Sequence, residues 1–105
     1  MPAKKYQVKE SDIQRQCLQW LQLHHVFARR WNSGMAFWNG RAAKMGEKGD
    51  PDIWILHRGR FIAIEVKAQN KHQSREQIIR ETEIRNAGGQ YYVVRRLEDL
   101  IGAMA

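Results

Sequence analysis

Asp52, Glu65 and Lys67 are the residues of this chain whose types and spacing suit them best to chemistry. They lie in one stretch, Gly49 to Lys67, which reads GDPDIWILHRGRFIAIEVK. Asp52 opens an apolar run, Ile53 to Leu56. A polar turn, His57-Arg58-Gly59-Arg60, leads into a second apolar run, Phe61 to Val66, which carries Glu65. Two such runs around a tight glycine turn read as a β-hairpin. A two-residue loop, Arg58-Gly59, pairs His57 with Arg60 and sets Asp52 directly opposite Glu65. A four-residue loop gives the same register, whereas a three-residue loop would shift it by one and separate the pair. Residues directly opposite one another share a face, with Cβ atoms about 4.5–5.5 Å apart. The period of two adds Phe61, Ala63 and Lys67 to that face and turns Ile62, Ile64 and Val66 to the other.

Two opposed carboxylates on a largely buried sheet repel each other and call for positive charge between them. Lys67 is one source, although it lies two residues further along the strand. A divalent cation is the better fit, because hard ions such as Mg²⁺ take one or two carboxylates together with water and phosphate oxygens. The plainer alternative is a surface hairpin with solvated Asp, Glu and Lys side chains.

Several elements must position these groups. Ser11 and Gln14 form a capping-box pattern, which predicts a first helix over 11–24. Its core face is Ile13, Cys17, Trp20, Leu21 and His24, widened by Leu18. Glu10 precedes the cap, where a carboxylate complements the helix dipole. His24-His25 reads as an exposed helix end. Residues 26–32 suggest a first strand, with Met35 to Asn39 as its partner after the Ser33-Gly34 turn. Residues 40–49 are basic and punctuated by glycine, which is loop chemistry. Within them Arg41, Lys44 and Lys48 are candidate backbone contacts to a nucleic acid, or else solvated charge. Trp31, Phe37 and Trp38 are core residues or stacking platforms for unpaired bases. Ser74 and Gln77 form a second capping box, which predicts a helix over 74–87 with Ile78, Ile79, Thr82 and Ile84 as its apolar positions. Gly88-Gly89 ends it. Tyr91 to Val94 is a last strand, expected parallel to the Glu65 strand because a helix connects the two. Residues 97–103 read as a short closing helix.

At 105 residues the chain is expected to form a single domain, with residues 1–9 as a polar, basic arm. The net charge of +7 and the pI near 10.0 point to a polyanionic partner such as nucleic acid. No apolar run is long enough to cross a membrane, and no signal core opens the sequence. The single cysteine excludes an internal disulfide and fits a reducing cytoplasm.

Pro51-Asp52 followed by Glu65-Val66-Lys67 resembles the PD-(D/E)XK nuclease signature, and the fuller pattern resembles its VRR-Nuc branch. Glu10-Ser11, Gly49-Asp50-Pro51-Asp52, Ile64-Glu65-Val66-Lys67, Ser74-Arg75-Glu76-Gln77 and Gly88-Gly89 occur in that family's order. The resemblance implies an α/β fold with a restriction-endonuclease-like α-β-β-β-α-β core, its mixed sheet flanked by helices. It implies that Asp52, Glu65 and the Val66 carbonyl hold Mg²⁺ or Mn²⁺, with Lys67 orienting the attacking water. It places Glu10 near the metal site, gives Gln77 a role in supporting Lys67, and puts Arg95 and Arg96 at a phosphate-binding strand end. The implied activity is endonucleolytic hydrolysis of DNA, leaving a 5′-phosphate and a 3′-hydroxyl, with no small-molecule cofactor and no membrane. Stand-alone members resolve four-way (Holliday) junctions as homodimers, and a phage or prophage setting is a further family association. Other readings are a nuclease for flap, nicked or single-stranded DNA or for RNA, a non-catalytic DNA-binding module, and a small basic interaction protein.

Overall fold

The computed structural model describes residues 8–31 and 34–105, of which residues 34–38 and 43–45 are described by their backbone. Most of the expected arm, and Ser33, lie outside the described residues. The chain runs α1 (Glu10–Leu23), β1 (Phe27–Arg30), β2 (Gly34–Trp38), β3 (Arg41–Met45), β4 (Ile53–His57), β5 (Arg60–Val66), α2 (Arg75–Asn86), β6 (Gln90–Val94) and α3 (Leu97–Met104).

Four strands form the central sheet in the order β1-β4-β5-β6. β1, β4 and β5 are antiparallel neighbours, and β6 lies parallel to β5 as the intervening helix requires. Arg58 and Gly59, both at positive φ, make the two-residue turn between β4 and β5. His57 therefore faces Arg60 and Ile53 faces Ile64, the register that the sequence implied. The core strands with α1 and α2 give the α-β-β-β-α-β order, and the β2–β3 hairpin is inserted between the first and second of them.

One face of the sheet holds the core. Ile53 and Ile55 of β4, Ile62, Ile64 and Val66 of β5, and Val94 of β6 pack against Ile13, Cys17 and Leu21 of α1 and Leu100 of α3. Each of these larger side chains contributes about 1.5–3 kcal/mol on burial. The spacing of Ile13, Cys17 and Leu21 is what makes α1 a sheet-packing helix. His24 is not in that core: it is exposed and stacks on Trp20 at 4.1 Å between ring centroids. His25, at φ 57, ends the helical path.

Three expectations need correction. Ser11 does not cap α1. Lys9 occupies the cap without a side-chain bond and Glu10 is already helical, so the helix begins one residue earlier. The partner of β1 is β4, and residues 34–38 pair instead with 41–45. The supposed loop therefore contains β3. The cause is the Asn39-Gly40 turn, with both residues at positive φ, which closes a two-residue hairpin on its own. Finally, α2 buries none of its residues, and Ile78 and Ile79 are about half exposed. It is held by polar bonds at its start and by Gly89, whose added Cβ would lie 2.8 Å from Ile84 and 3.2 Å from Phe61.

Candidate active site

The hairpin register brings Asp52 and Glu65 together on the sheet face opposite the core. The backbone holds Asp52 on both sides. Its N–H donates to the Ile64 carbonyl at 3.0 Å, and its carbonyl accepts from the Trp31 N–H at 2.7 Å. Its side-chain Oδ2 accepts from the Val66 N–H at 2.8 Å, fixing the carboxylate beside the Glu65 strand. Glu65 is 2% exposed, the one charged residue that is buried among the described residues. Its Oε1 accepts from Gln77 Nε2 at 2.8 Å and lies 3.8 Å from Lys67 Nζ, while its Oε2 is buried without a partner among the described residues.

Burial sets the electrostatics of the pair. Removal from water pushes the Glu65 carboxyl up to about 8, reinforced by the charge of Asp52 and only partly offset by Lys67. Asp52 is also raised, first by burial, against the lowering effect of the Val66 N–H bond. Two carboxyls held in this way share a proton or take up a cation. Among the described residues no group of three or more metal-ligating side chains gathers at one point. A metal would therefore rest on two carboxylates plus backbone and solvent oxygens, a pattern that suits Mg²⁺ or Mn²⁺. The unpartnered Glu65 Oε2 and the two raised carboxyls fit such an ion.

Gln77 joins helix to site. Its backbone N–H donates to Ser74 Oγ at 3.2 Å and its Oε1 accepts from the Ser74 N–H at 2.8 Å, completing the capping box. The remaining amide group reaches Glu65. Gln77 thus supports Glu65 directly, rather than Lys67 as the resemblance implied; the lysine approaches the same Oε1, at 3.8 Å. Glu10 reaches the site from α1. Its Oε1 accepts from the Ala68 N–H at 3.1 Å, and its charge acts on both Asp52 and Glu65.

A solved structure titled "VRR_NUC domain" superimposes on the chain with a TM-score of 0.67 at 21% identity, covering 90% of this chain and 92% of that one. The chain has the fold of a VRR_NUC domain. No protein-family model matches the sequence, and no curated protein matches it. Within the VRR_NUC fold, the five motifs of the sequence fall on the start of α1, the turn before β4, the end of β5, the start of α2 and the turn before β6.

The expected nucleic-acid contacts are more scattered. Arg41 is exposed at the start of β3, and the side chain of Lys44 lies outside the described residues, as do those of Phe37 and Trp38. Lys48 is exposed and pairs with Glu76 at 3.4 Å. Arg95 Nη1 donates to the carbonyls of Ala68 and Lys71 at 2.8 and 2.7 Å, tying down the segment after Lys67. Arg96 is exposed beside Asp99 at 3.6 Å.

Sequence reasoning missed Arg80. Its guanidinium pairs with Asp50 at 2.9 Å, Glu47 at 2.8 Å and Glu83 at 3.1 Å, clamping the turn that leads into Asp52 onto α2. Asp50 Oδ2 in turn accepts from the Glu47 N–H at 2.8 Å. Gly49 permits the contact: at φ +95 its backbone runs so close to α2 that a Cβ would lie 2.5 Å from the Glu76 carbonyl oxygen. An arginine one helical turn beyond Gln77, opposite an acidic turn, was the available signal.

Proposed function

We propose that this chain is a metal-dependent endonuclease that hydrolyses DNA phosphodiester bonds. The observation that carries the reading is the convergence of Asp52, Glu65 and Lys67 at one buried point of a basic protein, with Glu65 Oε2 left without a partner among the described residues. Asp52 and Glu65 would hold Mg²⁺ or Mn²⁺ together with the carbonyl of Val66, the residue whose amide fixes Asp52. When bound, the ion supplies Lewis acidity toward phosphate and lowers the pKa of water. Gln77 keeps Glu65 oriented toward Asp52. Lys67, only 14% exposed at its side chain, places a positive charge where negative charge develops on the phosphorus centre, and it orients the attacking water. An ammonium acts as a general base only if its pKa is depressed, so the electrostatic role is the one assigned. Glu10 positions the start of the segment after Lys67 and adds negative charge beside the pair. Arg41, Lys44, Lys48, Arg95 and Arg96 supply phosphate contacts.

The finer reading is resolution of four-way junctions by a homodimer, because a two-fold dimer presents two sites for paired cuts on a two-fold substrate. A second reading, cutting of flap, nicked or single-stranded DNA, is favoured by the aromatic residues on the open part of the sheet face that bears Asp52. The test is cleavage of end-labelled four-way junction, flap and linear duplex with Mg²⁺, with Mn²⁺ and with EDTA. Cutting is expected to require metal and to fall by about 10²-fold or more in Lys67→Ala with binding retained. Tight binding without cutting under either metal would sink the reading and leave a DNA-binding module.

A further inference from the structure

The central sheet is covered unequally. Its core face lies under α1 and α3. On the opposite face α2 shields the β5–β6 half, where Ala63, Glu65 and Tyr91 are buried. Among the described residues no helix lies over the β1–β4 half of that face. Register and period place Phe27 and Trp31, Trp54 and Leu56, and Phe61 there, in line with Asp52. Phe27 is 51% exposed and Leu56 48%. The rings form two coupled pairs on this face: Phe27 meets Trp54 at 5.6 Å, and Trp31 meets Phe61 edge-on at 6.2 Å. Trp54 is two residues from Asp52 along β4, a step of about 6.8 Å.

Charge decides what this surface accepts. The sequence has no Asp or Glu between Asp12 and Glu47, and none between Asp52 and Glu65. Those two segments supply β1 and β4, their turns and most of β5. Arg29, on the face itself opposite Trp54, and Arg30, Arg58 and Arg60 around it are exposed cations, and Arg29 lies over the Phe27 ring at 4.7 Å. Two copies meeting through this face would bring like charges together. A flexible polyanion whose units have flat faces satisfies both features at once.

We infer that the open β1–β4 face is a stacking platform for unpaired bases, so that the substrate carries single-stranded nucleotides immediately beside the scissile phosphate. This rests on the nuclease reading for the position of the scissile phosphate, and of its two substrate readings it selects the flap, nicked or single-stranded one over the fully paired four-way junction. Paired bases present their edges and backbone and cannot lie flat on Phe27 or Trp54; unpaired bases can.

The test measures binding in EDTA to a blunt duplex and to the same duplex with a single-stranded extension carrying 2-aminopurine. Wild type is expected to bind the extended duplex at least about tenfold more tightly than the blunt one, with the 2-aminopurine quenched by stacking. Phe27→Ser and Leu56→Ser should each move that ratio toward one. Phe27→Tyr should keep it, and so should Leu23→Ser, a 76%-exposed position on α1 outside this face. If Phe27→Ser fails to fold, Phe27→Leu keeps the apolar bulk while removing the ring, and its ratio should also fall. A wild-type ratio near one overturns the proposal, as does a ratio unchanged in every ring-removing variant. Sedimentation showing a dimer that Phe27→Ser dissociates, with the ratio unaltered, overturns it too and assigns the face to a second copy. Adding Mg²⁺ or Mn²⁺ separates the two readings. Preference and quenching without cutting would leave the platform standing and remove the nuclease, whereas cutting without preference would do the reverse.

Discussion

Glu65 carries the sharpest consequence at the scale of single residues. Its pKa is higher in the folded chain than the ordinary glutamate value, so between roughly pH 4.5 and pH 8 the folded state binds more protons than the unfolded one. Metal-free stability must therefore fall as pH rises through that window. Glu65→Gln removes the ionisation while keeping the shape. It should be more stable than wild type at pH 8 by at least about 1.4 kcal/mol, the equivalent of one pKa unit, and should lose that advantage near pH 4. Urea melts at the two pH values without metal check this, and added Mg²⁺ should stabilise wild type but not the variant. Gln77 makes a second case. Gln77→Ala removes both half of the capping box and the bond to Glu65, a loss of about 1–3 kcal/mol by thermal or urea melting. Much of this residue-level site was legible in the sequence, because a two-residue turn fixes register and register fixes which carboxylates meet. The partner of Gln77 was not legible: Glu65 and Lys67 share a face, and only the approach angle of α2 decides which of them the amide reaches.

Among the elements, the turn before β4 and the start of α2 act as one piece. Gly49→Ala would force a Cβ against the Glu76 carbonyl at a φ unfavourable to alanine, costing about 1–3 kcal/mol and displacing Asp52. Arg80→Met should have a milder effect on melting, because part of its pairing is solvent-facing, yet it should weaken Mg²⁺ binding by freeing the 47–50 turn. Calorimetric titration of Mg²⁺ against both variants would separate the two effects. Element types were readable wherever periodicity was strong, as in α1, β4, β5 and β6. They were misread where two patterns competed. Ser11-x-x-Gln14 imitates a cap, but the chain enters the helix earlier and Glu10 bonds to Ala68. Asn39-Gly40 is a strong hairpin signal that lay hidden inside a basic, glycine-rich stretch. Ile78 and Ile79 look like a core stripe, yet α2 is anchored through its polar residues and turns them outward.

For the molecule as a whole, charge segregation predicts how affinity responds to salt. If the acid-free segments track a phosphate backbone, log affinity for duplex DNA should fall linearly with log salt, by about 0.9 for each phosphate neutralised. Arg41→Ala should shallow that slope by about one contact. Lys48→Ala should change it less, since Lys48 already pairs with Glu76. The legibility of the sequence ended here, because the open half of the sheet depends on where α2 comes to rest, and no local pattern records that. Cys17 offers a way to watch the fold open and close. It is the chain's one cysteine, wholly enclosed between α1 and the sheet, and burial, followed by the charge of Asp99, pushes its thiol up to about 11. A thiol reagent therefore finds almost no reactive sulfur in the native protein. Labelling should proceed only through openings that lift α1 off β4 and β5. The labelling rate is then a clock for the largest motion of the molecule, and an ion seated between Asp52 and Glu65, on the far side of the same strands, should slow it.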